Sequence, residues 1–156
     1  MITITSILQE ILEPTREYQI QVDLLKKQGA KFLGSGDGGA AYELDGVAKK
    51  VTTDEVELEH AEILKGKTTK FFVPILDVDV IDTKLGIITM PILQKYEGLI
   101  SKEFLENLKY EAESLGIDPT ELDIKSDNFM KDKDGHLRMV DAVSYTHLTL
   151  PTIYSV

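Results

Sequence analysis

Cysteine and tryptophan are absent from this chain of 156 residues, and histidine occurs only three times. The lack of cysteine excludes disulfides and thiolate zinc sites, and three isolated histidines argue against a histidine-rich metal centre. Long apolar runs are missing too, because Leu85 to Met90 is far shorter than the roughly 20 residues that cross a bilayer. No signal peptide opens the sequence. We therefore expect a soluble, cytoplasmic protein without a membrane partner.

Basic residues are in the minority, with 17 Lys and Arg against 27 Asp and Glu and a net charge of −10. Nucleic acids are bound mainly by Lys and Arg that neutralise phosphates, so this balance predicts no nucleic-acid partner. The hydrophobic fraction of 42% is sufficient for a folded core. The length predicts one domain, or at most two small lobes.

The last fifteen residues, 142–156, differ in composition from the rest. They contain no Asp, Glu, Lys or Arg, whereas the chain average of 28% would place about four there. Val143 to Thr152 also resembles the translation of a transposase sequencing adapter. We interpret 142–156 as a non-native tail, with a genuine terminal β-strand as the alternative. On this interpretation, the natural chain is interrupted near Asp141.

Hydrophobic periodicity predicts helices and strands in a definite order. Residues 1–30 form a helical segment, Ser6 to Lys27, which is broken or kinked near Pro14 and ended by Gly29. Residues 31–91 predict one helix, from Asp54 to about Lys65, and five strands: Lys31–Leu33, Ala41–Leu44, Val47–Val51, Phe72–Ile81 and Leu85–Met90.

Residues 92–141 form the remaining segment. A helix begins after Ser101, a plausible N-cap, and ends at Gly116. A loop from Ile117 to Ser126 follows, and then a hairpin of Phe129–Lys131 and His136–Val140. The whole pattern predicts an α+β fold in which an antiparallel sheet with one helix precedes a small helical lobe.

Three glycines, Gly34, Gly36 and Gly39, fit the pattern G-x-G-x-x-G. A strand follows them, and not the helix that a dinucleotide-binding fold requires. Glycines let backbone N–H groups approach a phosphate chain, so a glycine hairpin can cover phosphates. The alternative is a flexible hairpin tip without a ligand.

The strand after this hairpin carries Ala48 and Lys50 on one face and Lys49 on the other. A small residue beside an ammonium group suits an adenine ring and its phosphates, and Lys49 is predicted to point to solvent. Lys50 needs an anionic partner if it points inward. Helical geometry favours Glu57, with Glu59 in reserve. The alternatives are a solvated lysine and a solvated acidic helix face.

The segment from Asp123 to Asn128 reads D-x-K-x-x-N, with Lys125 in the middle, and Asp141 follows thirteen positions after Asn128. This spacing, with a hairpin in between, resembles the catalytic loop and metal-binding strand of the protein kinase superfamily. The glycine hairpin, the A-x-K strand and the acidic helix occur in the same order. The resemblance therefore covers roughly Phe32 to Asp141.

The resemblance implies a protein-kinase-like fold, with an antiparallel β N-lobe at 31–91 and a truncated helical C-lobe at 92–141. It also implies an ATP site in which Met90 lines the adenine hinge beside Ala48, and Lys50 binds the α- and β-phosphates while pairing with Glu57. The three hairpin glycines would cover the phosphates: Gly34, Gly36 and Gly39.

The remaining roles concern metal and transfer. Asn128 and Asp141 would hold Mg²⁺, an ion that prefers oxygen ligands. Asp123 would orient the substrate hydroxyl and accept its proton, and Lys125 would neutralise the transferred phosphoryl group. Lys125 is typical of serine/threonine protein kinases, so a protein or peptide hydroxyl is the implied substrate.

The sequence departs from the family in three places. Glu121-Leu122 stand where His-Arg is usual, Ala142 follows Asp141 where Phe-Gly is usual, and the segment 91–123 has room for about one helix. We therefore expect a miniature kinase-like protein of phage or environmental origin, located in the host cytoplasm if phage-encoded.

Three other functions stay open. A pseudokinase or nucleotide-binding module would keep the fold without turnover, and a small-molecule kinase would share Asp123 and Asn128. A calcium loop is the third. Asp132, Asp134 and Gly135 fit positions 3, 5 and 6 of its frame, but Met130 at position 1 and Asp141 at position 12 do not.

Overall fold

The computed structural model of the chain describes residues 4–36 and 38–140. Asp141 and the segment 142–156 lie outside these residues. The described residues form an α+β fold, as predicted, with helices α1 (Ile4–Lys27), α2 (Glu55–Leu64) and α3 (Lys102–Ser114). Its strands are β1 (Lys31–Gly36), β2 (Gly39–Leu44), β3 (Val47–Thr52), β4 (Asp77–Asp82), β5 (Leu85–Pro91), β6 (Gln94–Lys95), β7 (Phe129–Lys131) and β8 (Leu137–Met139).

The larger sheet is antiparallel and has five strands in the order β1-β2-β3-β5-β4. The predicted turn between β2 and β3 is confirmed, since Asp45 and Gly46 both have positive φ, 54° and 81°. Positive φ at both central residues is the requirement of a type I′ hairpin turn. A second antiparallel sheet, β6-β7-β8, includes the predicted hairpin near the C-terminal end.

Helix α1 packs on one face of the larger sheet, where Val22 and Leu25 join the buried strand residues Tyr42, Val51 and Leu85. It ends as predicted at Gly29, whose φ is +94°. The N–H of Ala30 then reaches back to the carbonyl of Leu25, which forms a Schellman cap. The helix is continuous through Pro14, so of the predicted break or kink at this position the break does not occur.

The prediction that Lys49 points to solvent is wrong. It lies on the sheet face that α1 covers, is half-buried, and donates from Nζ to Thr89 Oγ1 at 2.8 Å. The alternation of β3 was predicted correctly, but the face opposite Lys50 is not open to solvent because a helix packs on it.

The strand predicted at Phe72–Ile81 is shorter, since β4 begins at Asp77. Pro74 has no N–H to donate to a strand ladder, so a continuous strand is disfavoured there. The residues before it pair with β8 instead. Val73 N donates to Met139 O at 3.0 Å, and Met139 N donates to Phe71 O at 2.7 Å.

The segment Thr69–Val73, which we call the junction, is fixed by side chains as well. The carboxylate of Glu111 in α3 accepts hydrogen bonds from the backbone N–H groups of Lys70, Phe71 and Phe72 at 2.9, 3.0 and 3.3 Å. Arg138 Nη1 donates to Thr69 O at 2.6 Å. The junction is part of the chain between α2 and β4, and these hydrogen bonds attach it to α3 and β8.

One apolar core runs through both halves of the chain. Its buried residues include Ala48, Leu58 and Ile88 from the sheet and α2, and Leu108 and Phe129 from the later elements. The sheet and α3 are thus packed against a common interior. No helix in the described ranges is both long and apolar enough to cross a membrane.

We predict that Glu111→Ala lowers the free energy of unfolding by about 1.5–3 kcal/mol, because the junction N–H groups lose a charged acceptor. Urea denaturation measures this. Glu113→Ala is the matched control, since it removes the same charge from an exposed position of α3. Equal losses in the two variants would show that the junction bonds contribute nothing specific.

Candidate functional site

The glycine hairpin is the turn between β1 and β2, closed by the pairing of Gly36 with Gly39. The carbonyl of Gly38 accepts from Thr53 N at 2.8 Å and from the hydroxyls of Thr52 and Thr53. A Cβ on Gly39 would lie 1.9 Å from the carbonyl oxygen of Val51. The close approach of β2 and β3 therefore requires glycine at position 39, whatever the hairpin binds.

Lys50 and Glu57 form a buried ion pair between β3 and α2. Lys50 Nζ donates to Glu57 Oε2, and the two residues are only 1% and 4% exposed. The pairing agrees with the prediction from strand alternation and helix rotation. Glu59, the reserve candidate, is exposed.

The start of α2 decides which glutamate faces the sheet. Asp54 is the N-cap, and its Oδ1 accepts from the N–H groups of Val56 and Glu57 at 3.0 and 3.2 Å. An N-cap fixes where helical geometry begins, and hence the direction in which each later side chain points. Position 57 thereby joins Leu58 and Ala61 among the buried positions of α2.

The surroundings of the pair are mostly apolar, with the buried His60 also lining the cavity beside Glu57. Ala48 pairs with Met90 across β3 and β5, and both are buried. A cavity of about 20 Å³ lies beneath them and is lined by Glu57, Met90 and Met139, among others. Because Met139 is the last residue of β8, the end of β8 lies close to the ion pair.

The loop from Asp123 to Asn128 is ordered by its own hydrogen bonds. Asn128 is buried, and its Nδ2 donates to Asp123 O at 2.7 Å. Asn128 Oδ1 accepts no hydrogen bond from the described residues. Lys125 Nζ lies 3.5 Å from Asp123 Oδ2, and these two side chains are largely exposed. An amide carbonyl is thus held inside the loop while a carboxylate and an ammonium group face outward.

The structure assembles the predicted residues in two groups. The first contains Ala48, Lys50, Glu57 and Met90, and the second contains Asp123, Lys125 and Asn128. A short connection joins them, because Met139 lines the cavity with Glu57 and the next residue, Val140, donates from its N–H to Asn128 O at 2.7 Å. The predicted metal ligand Asp141 follows Val140 and lies outside the described residues.

Sequence reasoning missed the threonines that hold the hairpin and the two charged residues that hold the junction. Thr52 is the last residue of β3 and Thr53 follows it directly, a place where hydroxyls often bond to nearby backbone. Nothing in the sequence pointed to the roles of Glu111 and Arg138. The backbone groups of the junction that they bond lie about 40 or more positions away along the chain.

The turn between β7 and β8 brings one ligand atom each from Asp132, Asp134 and His136 within 4.8 Å of one another. The carboxylate of Asp132 is already engaged, since it accepts from the N–H groups of Asp134 and His136 and from Arg138 Nε. These bonds organise the turn. The cluster therefore adds no support to the calcium-loop alternative.

No protein-family model matches the chain, and no curated protein matches it. Function must therefore be argued from the residues of the site themselves.

We predict that Lys50→Met lowers the free energy of unfolding by about 3–5 kcal/mol, because it leaves a buried carboxylate without its ammonium partner. The double variant Lys50→Met/Glu57→Leu should regain most of this loss, since apolar residues can replace a buried ion pair. Lys84→Met, in the exposed turn between β4 and β5, is the control. A double variant as unstable as the single one would contradict the pairing argument.

Asp132 predicts a pH dependence of stability. Burial raises the pKa of this carboxyl, but hydrogen bonds from His136 N–H, Arg138 and Asp134 N–H outweigh burial and lower the pKa below its usual value. Its contribution is complete above the unfolded-state pKa of about 3.9, and it is lost as pH falls through the lower folded-state pKa.

Asp132→Asn should therefore cost about 1–2 kcal/mol at neutral pH, and the difference from the parent chain should shrink below about pH 4. Urea denaturation across pH measures both quantities. The control is Asp134→Asn, which neutralises an exposed carboxylate of the same turn. A cost for Asp132→Asn that stays constant down to pH 2 would contradict the argument.

Proposed function

We propose that this chain is a kinase-like phosphotransferase that binds Mg-ATP between the larger sheet and the Asp123–Asn128 loop and transfers the γ-phosphoryl group to a Ser or Thr hydroxyl. The observation that carries the proposal is the buried Lys50–Glu57 ion pair. Removing two charges from water is costly, and an apolar pair would fill the same volume. A phosphate-binding role accounts for a lysine at this place.

Lys50 would bind phosphate oxygens through its ammonium group, while Glu57 keeps the side chain in position. Ala48 and Met90 are small and flexible apolar residues on the same face of the sheet, and they would contact the adenine ring. The glycine hairpin would supply backbone N–H groups to the phosphates. Ala48, Lys50 and Met90 lie on one face of the sheet, which supports a single nucleotide site.

The metal that ATP carries would be Mg²⁺, and the described loop has a suitable ligand for it. Asn128 Oδ1 is a carbonyl oxygen without a hydrogen bond from the described residues, and its partner atom Nδ2 fixes the amide orientation. Hard oxygen ligands of this kind are what Mg²⁺ prefers. Bound Mg²⁺ would neutralise phosphate charge, and Asp141 is the second ligand that the resemblance suggests.

For the transfer step, Asp123 would orient the substrate hydroxyl and accept its proton. The hydroxyl oxygen would form a bond to the γ-phosphorus as the bond between that phosphorus and the departing ADP oxygen breaks. Lys125 lies beside Asp123 and would balance the negative charge that develops on the phosphoryl oxygens. Both side chains are accessible from solvent, which suits a hydroxyl presented by a protein or peptide.

Binding is tested first. Mg-ATP at about 100 times its Kd should raise the Tm of the full chain by roughly 5–10 °C by mass action. Lys50→Ala should weaken binding about tenfold or more in titration calorimetry, whereas Lys49→Ala, on the opposite face of the same strand, should stay within about twofold. Equal losses in both variants, or no magnesium-dependent binding to folded protein, would overturn the nucleotide site.

Transfer is tested separately with labelled ATP and Ser- and Thr-containing peptides. Asp123→Asn should leave Mg-ATP affinity nearly unchanged and lower the transfer rate by about 100-fold or more, because it removes only the group that accepts the proton. Asp118→Asn, at an exposed N-cap of the preceding turn, is the control. ATP binding without transfer to any peptide or small-molecule hydroxyl would leave a nucleotide-binding module in place of an enzyme.

A further inference from the structure

A second pocket lies away from the nucleotide site, on the side of the molecule where α3, the junction and the β7–β8 hairpin meet. We call it the α3 pocket. Its volume is about 360 Å³, which is within the range of small-molecule sites. It is lined by Thr69, Lys70, Phe71, Phe104, His136, Leu137 and Arg138.

The lining combines positive charge with aromatic surface. Lys70 and Arg138 are the cations of the lining. Two carboxylates lie next to the lining and are already engaged, because Asp132 accepts from Arg138 Nε and Glu111 accepts from the N–H groups of Lys70 and Phe71. The donors left for a ligand are Lys70 Nζ and Arg138 Nη2, and ammonium and guanidinium groups bind carboxylates and phosphates.

Arg138 is held rigidly in this wall. Its Nε donates to Asp132 and its Nη1 donates to the carbonyls of Thr69 and Phe72, whereas Nη2 has no hydrogen-bond partner among the described residues. A guanidinium fixed on two sides loses little side-chain entropy when its remaining nitrogen binds a ligand.

Phe71 and Phe104 form the aromatic part of the wall. Their ring centroids are 5.4 Å apart and their planes are at 80°, so they make an edge-to-face corner. Both residues are partly buried, which leaves ring surface available to the pocket. A planar ligand can stack on one ring of such a corner and meet the edge of the other.

We propose that the α3 pocket binds a small anionic molecule, one in which a carboxylate or phosphate is attached to an aromatic ring. The anion would contact Lys70 and Arg138, and the ring would contact Phe71 and Phe104. This site is separate from the proposed ATP site and does not depend on phosphoryl transfer. No covalent step is involved.

The probe for this proposal is 1-naphthyl phosphate, titrated into the full chain and followed by amide chemical shifts in two-dimensional NMR. The expected shifts concentrate at the junction, at Phe104 and at residues 136–138. Two comparison probes, neutral 1-naphthalenemethanol and inorganic phosphate, should each bind more weakly, because each has only half of the required chemistry. Mg-ATP should not displace the probe from this pocket.

Variants separate a specific site from general charge attraction. Lys70→Ala removes an exposed ammonium whose side chain makes no hydrogen bond with the described residues, so folding should be preserved, and probe affinity should fall about threefold to tenfold. Lys84→Ala makes the same charge change in a distant exposed turn and should have no effect. Phe104→Leu should also weaken the probe, with the anion contact intact.

Four results would overturn the proposal. They are shifts that lie elsewhere or fail to saturate, an equal affinity for the neutral probe or for inorganic phosphate, an equal effect of the two lysine variants, and displacement of the probe by Mg-ATP. The ATP titration tests a different set of residues. Absence of probe binding in the α3 pocket would therefore leave the proposed nucleotide site unaffected.

Discussion

One buried ion pair, Lys50 with Glu57, couples the larger sheet to α2. Two charges that lie almost wholly out of water are tolerated only when they meet, so the register of β3 and the rotation of α2 are coupled to each other. The N-cap Asp54 supplies the rotation, and strand alternation supplies the direction of Lys50. A slip of one residue in β3 would turn Lys50 to the opposite face of the sheet. Lys49 would then face α2, and its ammonium group would no longer be placed as that of Lys50 is against Glu57.

The junction connects this pair to the rest of the chain. Its backbone is held by Glu111 and Arg138, and its pairing with β8 fixes Met139, which lines the same cavity as Glu57. The position of the Asp123–Asn128 loop follows, since Val140 bonds to Asn128 immediately after Met139. The spacing between the Lys50–Glu57 pair and the Asp123–Asn128 loop is therefore set in part by the hydrogen bonds of the junction and β8.

Local chemistry explains which parts of the fold were predictable. The Asp45-Gly46 turn and the helix ends at Gly29 and Gly116 each follow from residues that prefer positive φ, and all three were predicted. The Lys50–Glu57 pair also follows from periodicity, because a strand and a capped helix both have a fixed repeat. These features need no knowledge of distant contacts.

Features that depend on distant contacts were not predictable. The environment of Lys49 depends on α1 packing over the sheet, and the late start of the strand predicted at Phe72–Ile81 depends on pairing with β8 as well as on Pro74. The anchoring roles of Glu111 and Arg138 were invisible for the same reason. The start of β4 could have been predicted more accurately from the sequence, because Pro74 inside the predicted strand disfavours strand pairing at that position.

The glycine pattern and the lysine carry unequal weight as evidence for a phosphate site. Gly39 is needed where β2 approaches β3, so its presence would be expected in a protein with no ligand at all. Gly38, in turn, is held by Thr52 and Thr53, which restrains the hairpin tip without reference to phosphate. Lys50 does couple β3 to α2 through Glu57, but an apolar pair could fill the same place with less desolvation, so packing alone does not require a lysine there. The case for a nucleotide therefore rests on Lys50, and the glycines add little to it because the packing of β2 on β3 already accounts for Gly39.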